Sequence, residues 1–258
     1  MNATHPSPTE DDPDESVAIT VEEVLETLAE GKIEEQGMLP WSSNYTFLVM
    51  VSAGELKLPA VYKPRRGERP LWDFPQGTLC LRERAAYLVS AALGWMIVPP
   101  TVLRNGENGF GSVQLFIDND PNQHFFTFRE DAAVCEQLQR IALFDLATNN
   151  ADRKSGHCLR DRQGHIWAID HGICFNADYK LRTVIWDFAG QPISKLMLND
   201  LQQLRAQLSD DHPLGEALDG LLDDDEVRAL KKRLDGLLKL KTFPSPNRYE
   251  RSMPWPPV

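Results

Sequence analysis

The stretch NNADRKSGHCLRDRQGHIWAIDHGICF, residues 149–175, carries the strongest structural signal in the chain. The segments HCL and HIWAID lie on either side of a polar turn at residues 161–164, a pattern that predicts a β-hairpin. Asp152 precedes this hairpin and Asp170 follows it, eighteen residues later. Because the two ends of a hairpin lie side by side, we expect the two carboxylates to meet in one cleft.

The residues around these two aspartates suggest a metal-assisted reaction. A carboxylate directly after the apolar run at residues 166–169 is costly to bury without a partner, and a divalent cation is a natural partner. His157 stands five residues after Asp152, where a second metal ligand belongs. Asp152 would accept or orient a substrate proton, and Arg153 would stabilise transferred charge. The alternative interpretation is that Asp and Asn in this loop only cap turns.

A lysine and a glutamate in the first half of the chain add two further parts. The β-branched and aromatic run at residues 44–51 and a second strand that ends at Lys63 predict a hairpin. A helix predicted over residues 78–94 carries Glu83 on the face opposite its apolar stripe. Phosphoryl transfer needs a cation on the phosphates and a carboxylate that holds it. We expect Lys63 and Glu83 to form this pair, although each residue alone is also typical of a protein surface.

The remaining secondary structure follows from capping signals and periodicity. Thr20 and Glu23 have the spacing of a capping box, which predicts a short helix ending at Gly31. Further strands are predicted at residues 97–103 and 112–117, a long helix at 130–149, and helices from residue 192 to 241 with a cap at Asp223.

Together these motifs resemble those of the phosphatidylinositol 3- and 4-kinases, a group of atypical kinases. The resemblance rests on DR at residues 152–153, a polar ligand five residues after the Asp, a hairpin, and IDHG at residues 169–172. It is strongest at residues 149–175 and weak before Lys63. The HipA family of bacterial protein kinases is similar in the same way.

The resemblance implies an α+β, two-lobed fold like that of protein kinases. Residues 18–118 would form an N-lobe with a small antiparallel sheet, and residues 119–243 a mainly helical C-lobe. Lys63 would contact the phosphates of ATP, Asp152 would be the catalytic carboxylate, and Asp170 the principal Mg²⁺ ligand. The hinge that binds adenine would lie at residues 114–118, where Gln114, Leu115, Phe116 and Ile117 would contact the nucleotide.

Three departures from this family bear on activity. His157 stands where the family usually has Asn, and imidazole suits Mn²⁺ better than Mg²⁺. His171 occupies the second position of the metal motif, where Phe is usual. No Gly-rich loop precedes Lys63, so the polar turn with Ser42, Ser43 and Asn44 would have to hold phosphate instead.

The function that these residues predict is an ATP-dependent kinase that transfers the γ-phosphate to a hydroxyl of a protein or small molecule, with Mg²⁺ or Mn²⁺ as cofactor. The missing Gly-rich loop and His157 leave open a nucleotide-binding pseudokinase with a regulatory or scaffold role. A third alternative keeps the cleft but transfers AMP rather than phosphate.

Composition narrows the partners and the compartment. The chain has 27 Lys and Arg against 38 Asp and Glu, a net charge of −11, which disfavours binding to nucleic acid or anionic membranes. No apolar stretch approaches the ~20 residues that a membrane span needs, so we expect a cytoplasmic protein. The four cysteines are too widely spaced for a zinc knuckle or a redox pair and should be reduced. Residues 1–17 are predicted to be disordered, and the Pro-rich residues 244–258 to lack regular structure.

Overall fold

A computed structural model describes residues 19–39, 44–247 and 249–258 of the chain. It is an α+β protein, as predicted, with one five-stranded antiparallel sheet, a small two-stranded hairpin and several helices. The strands are β1 (Lys32–Met38), β2 (Phe47–Ala53), β3 (Leu56–Pro64), β4 (Thr101–Gly106), β5 (Gly109–Leu115), β6 (Cys158–Arg160) and β7 (Ile166–Ala168). The helices are α1 (Val21–Glu30), α2 (Leu79–Ala92), α3 (Phe125–Phe128), α4 (Cys135–Thr148), α5 (Lys195–Gln207), α6 (Pro213–Asp219) and α7 (Asp224–Leu240).

The large sheet has the strand order β1-β2-β3-β5-β4 and packs against α1 on one face. The predicted capping box is present, because Thr20 and Glu23 satisfy each other's backbone amides at the start of α1. Alternate residues of β3 face this helix, since the side chains of Leu58, Ala60 and Tyr62 are buried in one apolar cluster with it. Lys63 therefore points to the other face of the sheet.

Helix α2 lies on that other face and belongs to the larger apolar core, which it forms with α4 to α7. A buried ion pair fastens it there. The guanidinium of Arg82 lies 2.7 Å from Glu226 in α7, and it also donates to the carbonyl of Cys174 at 2.9 Å. Because Glu83 follows Arg82 directly, this anchor fixes the position of Glu83 relative to the helical part of the protein.

The structure adds one strand and corrects two predicted elements. Strand β1 was missed because its residues are polar and largely exposed, as at the edge of a sheet. The strand predicted at residues 97–103 is β4, which begins only at Thr101, because Pro99 and Pro100 lack the amide that pairing needs. The helix predicted from residue 130 begins as a short 3₁₀ turn, Ala132–Val134, capped by Asp131.

Other predictions are confirmed or stay predictions. The β6–β7 hairpin and the cap at Asp223 are present, and the four cysteines form no disulfide. The tail predicted at residues 1–17 lies outside the described residues, and the division into two lobes at residue 118 stays a prediction. In the part of the chain that the structure describes, no helix is both long enough and apolar enough to cross a membrane.

Candidate active site

A cavity of about 350 Å³ lies where the sheet, α2 and the loops around the β6–β7 hairpin meet. This volume is in the range of small-molecule binding sites. Residues that the sequence singled out lie together in its wall: Lys63 from β3, Glu83 from α2, and Asp152, His157 and Asp170 from the two loops. The remaining described residues of the wall are Asn44, Tyr45, Thr46, Pro64, Glu68, Arg69, Leu71, Leu79, Cys80, Lys154, Gly172 and Ile173.

Lys63 connects the sheet to both α2 and the second loop. Its ammonium nitrogen lies 2.5 Å from Oε1 of Glu83 and 3.0 Å from Oδ1 of Asp170. The other oxygen of Glu83 accepts the backbone N–H of His171 at 3.1 Å. The predicted contact between Lys63 and Glu83 is thus present, and Glu83 also holds the backbone directly after Asp170.

Asp170 combines an unusual backbone with a strongly perturbed charge. Its φ of 62° lies in the left-handed region, where Asp is tolerated better than most residues and which clusters at functional sites. The Lys63 ammonium holds the pKa of the Asp170 carboxyl far below its usual value, although burial opposes this shift. Its side chain is 51% exposed, so an ionised carboxylate faces the cavity.

Burial also lowers the pKa of Lys63, but the charges of Asp170 and Glu83 outweigh burial and raise it above its ordinary value. At neutral pH the site therefore holds one fixed cation between two carboxylates. The Lys63 ammonium remains accessible from the cavity, because the Lys63 side chain is 22% exposed.

Arg153 does not reach the cavity, contrary to its predicted contact with transferred charge. Its guanidinium is fully buried and pairs with Asp145 at 3.0 Å. It also donates to the carbonyl of Ile169 at 2.7 Å and lies 2.7 Å from Nε2 of His171. Because Ile169 and His171 flank Asp170, Arg153 ties the loop of Asp152 to the loop of Asp170. It explains why the two aspartates converge.

Asp152 is oriented by the end of α4. The fully buried Asn150 donates to Asp145 at 3.0 Å and accepts the backbone N–H of Asp152 at 3.0 Å, forming an Asx turn. Burial raises the pKa of the Asp152 carboxyl above its ordinary value, while the ammonium of Lys154, 3.2 Å away, lowers it. The geometry presents a carboxylate with raised basicity to the cavity, as a general base requires.

His157 lies beside Asp170, with Nε2 3.5 Å from Oδ2 of the carboxylate. Its Nδ1 accepts the backbone N–H of Lys154 at 3.4 Å, which places the proton of a neutral ring on Nε2. Burial lowers the pKa of His157 to about 4, and the positive charges of Arg153 and Lys154 add to this effect against the opposing charge of Asp170. The imidazole is therefore neutral at neutral pH.

This pKa predicts how acid affects stability. The pKa of His157 is about 4 in the folded protein, against 6.5 for an ordinary histidine such as that of the unfolded chain. Between these pH values the unfolded chain therefore binds more protons at His157. The free energy of unfolding should then fall as pH falls through this window, by about 3 kcal/mol in total from this residue. The variant His157→Asn should lose less stability over the same window. Urea unfolding at a series of pH values, with a chelator present, measures both slopes; equal slopes would contradict the prediction.

Of the predicted phosphate loop and hinge, only a residue of the phosphate loop lies among the cavity's described wall residues. Ser42 and Ser43 lie outside the described residues, whereas Asn44 lines the cavity and accepts the backbone N–H of Arg69 at 2.8 Å. The hinge residues Gln114, Leu115, Phe116 and Ile117 are not among the cavity's described wall residues.

Two of the hinge amides are used within the sheet region, whereas the contact of residues 114–118 with adenine stays a prediction. The N–H of Leu115 donates to the carbonyl of Pro100 at 2.9 Å, and that of Phe116 to the carbonyl of Pro59 at 3.0 Å. The buried side chain of Gln114 donates to Thr101 at 2.8 Å. Strand β5 is a central strand, so its amides serve pairing on both sides.

Lys154 and Glu68 are among the wall residues that the sequence analysis did not assign to the site. Lys154 lies beside Asp152, and its position two residues after the aspartate was an available signal. Glu68 accepts the first backbone amides of α2, those of Leu79 at 3.1 Å and Cys80 at 2.9 Å. No local pattern predicts this cap, because Glu68 comes from a loop eleven residues upstream.

Besides the side chains of the described residues, a bound metal ion would need further ligands from outside the chain. Among the described residues, no three His, Cys, Asp or Glu side chains lie close enough to form a metal centre alone. Asp170 and His157 form a pair, and Mg²⁺ commonly binds through one or two carboxylates together with phosphate oxygens and water. The donor set therefore fits a cation that arrives with a phosphorylated ligand.

Fold and site define an α+β protein with a charged cleft between an antiparallel sheet and a helical region. The chain is 39% identical over 262 residues to protein Rv2133c of Mycobacterium tuberculosis (strain ATCC 25618 / H37Rv), a match that covers 89% of this chain and 93% of that protein. The chain belongs to the same family as protein Rv2133c.

Plant proteins form a second group of relatives. The chain is 33% identical over 192 residues to phosphatidylinositol 4-kinase gamma 4 of Oryza sativa subsp. japonica, covering 59% of this chain and 34% of that protein. It is 26% identical over 223 residues to phosphatidylinositol 4-kinase gamma 2 of Arabidopsis thaliana, covering 65% and 40%. The chain thus spans well under half the length of these plant relatives. The predicted resemblance to phosphatidylinositol 4-kinases is supported, and that to HipA stays a prediction.

Among solved structures, the Helicobacter pylori proinflammatory kinase CtkA matches with a TM-score of 0.48 at 15% identity, covering 84% of this chain and 94% of that chain. No protein-family model matches the chain.

Proposed function

We propose that this protein is a metal-dependent kinase that binds ATP in the cavity and transfers its γ-phosphate to a hydroxyl. The observation that carries the proposal is the meeting of Lys63, Glu83, Asp152 and Asp170 in one wall. These side chains come from a strand, a helix and two loops that are far apart in the sequence. The plant relatives, which bear the name of phosphatidylinositol 4-kinases, support the same reaction class.

The sheet offers a place for the nucleotide. Lys63 would pair with phosphate oxygens while Glu83 keeps it in position. Val61 lies two residues before Lys63 and thus on the same face, and Leu48 pairs with Val61 in β2. Both side chains are half-buried, so this strip is suited to pack against a purine ring.

Asp170 and His157 would hold the cation. When bound, a divalent cation neutralises charge on the phosphate oxygens. Asp170 is ionised by its contact with Lys63, and its Oδ2 faces the ring of His157. Ligation by Nε2 of His157 would require its proton to move to Nδ1, with loss of the long contact to Lys154. His157 therefore serves either as a ligand or as a donor that orients Asp170.

Asp152 would receive the acceptor's proton. Its carboxylate has a pKa raised by burial, which suits a base more than an exposed aspartate does. Lys154 lies at 3.2 Å and is placed to attract the negative charge of the phosphate in transfer. The hydroxyl acceptor belongs to a protein or a small molecule in this proposal.

The test uses the purified full-length protein with radiolabelled ATP and either Mg²⁺ or Mn²⁺. Label in the γ-phosphate should be transferred to the protein itself or to an added acceptor, with release of ADP. Label in the α-phosphate should not be transferred. Transfer of the α-label instead would replace the kinase by an AMP transferase.

A separate binding measurement distinguishes the pseudokinase. ATP should raise the melting temperature through linkage, since a ligand that binds the folded state stabilises it. Stabilisation by ATP with no ADP formed in a sensitive assay would favour a pseudokinase, an alternative motivated by the missing Gly-rich loop and by His157. If ATP neither raised the melting temperature nor was turned over, the result would contradict nucleotide binding.

A further inference from the structure

The C-terminal residues 252–257, here called the C-terminal strap, lie against the loop that carries Asp152. The backbone N–H of Ser155 donates to the carbonyl of Pro257 at 2.9 Å. The carbonyl of Ser252 accepts the N–H of Thr183 at 3.0 Å and the indole N–H of Trp186 at 3.1 Å. Pro254, between these contacts, is buried, although its neighbours in the chain are exposed. The Pro-rich tail thus has no regular structure but a defined position.

Two partners of the C-terminal strap, Ser155 and Thr183, support the active-site loop. Ser155 lies between Asp152 and His157, and its side chain is fully buried. The hydroxyl of Thr183 donates to Asp145 at 3.2 Å. Asp145 is also the ion-pair partner of Arg153. The strap therefore contacts the loop of Asp152 directly and its ion-pair anchor through one further residue.

The described residues in the wall of the cavity all come before residue 174. The C-terminal strap is therefore placed to act on a substrate only through the loop. Within residues 152–157 the regular structure consists of the 3₁₀ turn Ser155–His157 and an isolated β-bridge between Arg153 and Thr183, so the segment has little regular structure of its own to fix it. External hydrogen bonds and packing must supply that rigidity.

We propose that the C-terminal strap is a positioning element that holds Asp152 and Lys154 in the geometry that phosphate transfer requires. The inference rests on the proposed function. A displacement of about 1 Å of a catalytic group lowers a rate by about 10²-fold. Loss of the strap should therefore lower kcat and leave the affinity for ATP, which depends on Lys63 and Glu83, nearly unchanged.

The experiment compares Pro254→Glu with Tyr249→Glu in the full-length protein. Pro254 is buried, so a charge there should detach the C-terminal strap, whereas Tyr249 is 96% exposed and lies outside the strap. Hydrogen exchange at the amides of Ser155 and Thr183 should speed up about 10-fold or more in Pro254→Glu alone. The kcat should fall about 10- to 100-fold with KM for ATP within about twofold. Tyr249→Glu should match the wild type in both measurements.

A milder variant keeps the test valid if Pro254→Glu fails to fold. Trp186→Phe removes one donor to Ser252 and keeps an aromatic ring, so it should lower kcat less and leave the melting temperature close to that of the wild type. Unchanged exchange and unchanged kcat in a folded Pro254→Glu protein would overturn the role of the strap. Absence of phosphate transfer in the wild type would instead overturn the proposed function, and with it the catalytic consequence of the strap.

Discussion

Replacing Asp170 with Asn should lower the rate of phosphate transfer by about 10²- to 10³-fold, the loss typical for removal of one preorganised electrostatic contact in an active site. Asp170 contacts Lys63 at 3.0 Å, faces His157 and is the proposed cation ligand. An amide in its place removes the negative charge that holds Lys63 and a cation together. The left-handed backbone at this position, φ 62°, tolerates Asn as well as Asp, so the fold should persist.

Single-turnover transfer from γ-labelled ATP measures this loss, and the melting temperature checks the fold. Asp210→Asn is the matched control, because Asp210 is 91% exposed and pairs with Lys231 on the surface. The control should transfer phosphate at the wild-type rate. Transfer by Asp170→Asn within a factor of about 10 of the wild type would remove Asp170 from the proposed metal site.

The expected effect of Asp170→Asn depends on the meeting of Asp170 with Asp152 and Lys63, which the sequence predicted. One local signal predicted the meeting of the two aspartates: a hairpin brings its ends together, and the loops of Asp152 and Asp170 flank the β6–β7 hairpin. Arg153 then ties these two loops together. The contact of Lys63 with Glu83 was also predictable, because a strand end and a helix face fix the direction of each side chain. Regular elements have a period, and the period determines where a side chain points.

Loop side chains lack such a period, and there the sequence was insufficient. Arg153 follows Asp152 directly, yet one side chain lines the cavity and the other is fully buried beside Asp145. Their opposite directions depend on contacts with Ile169 and His171, which come from a distant part of the chain. The docking of residues 252–257 is equally non-local.

The direction of Arg153 leads to the largest expected effect on stability. Arg153→Met should lower the free energy of unfolding by about 3–5 kcal/mol, the usual cost of breaking a buried ion pair on one side. Asp145, which is fully buried, would lose its ion-pair partner at 3.0 Å. The carbonyl of Ile169 and the ring of His171 would lose a donor as well. Since natural domains have about 5–15 kcal/mol in total, this loss is a large fraction of the stability and should lower the melting temperature clearly.

Urea unfolding measures this effect, with Arg162→Met as the control. Arg162 is 79% exposed, so its loss should change the stability by about 0.5 kcal/mol or less. The double variant Arg153→Met with Asp145→Asn should recover part of the loss, because it removes the uncompensated charge. If Arg153→Met were as stable as the wild type but failed to transfer phosphate, Arg153 would act on the phosphate itself. The ion pair with Asp145 would then not be what brings Asp152 and Asp170 to one cleft.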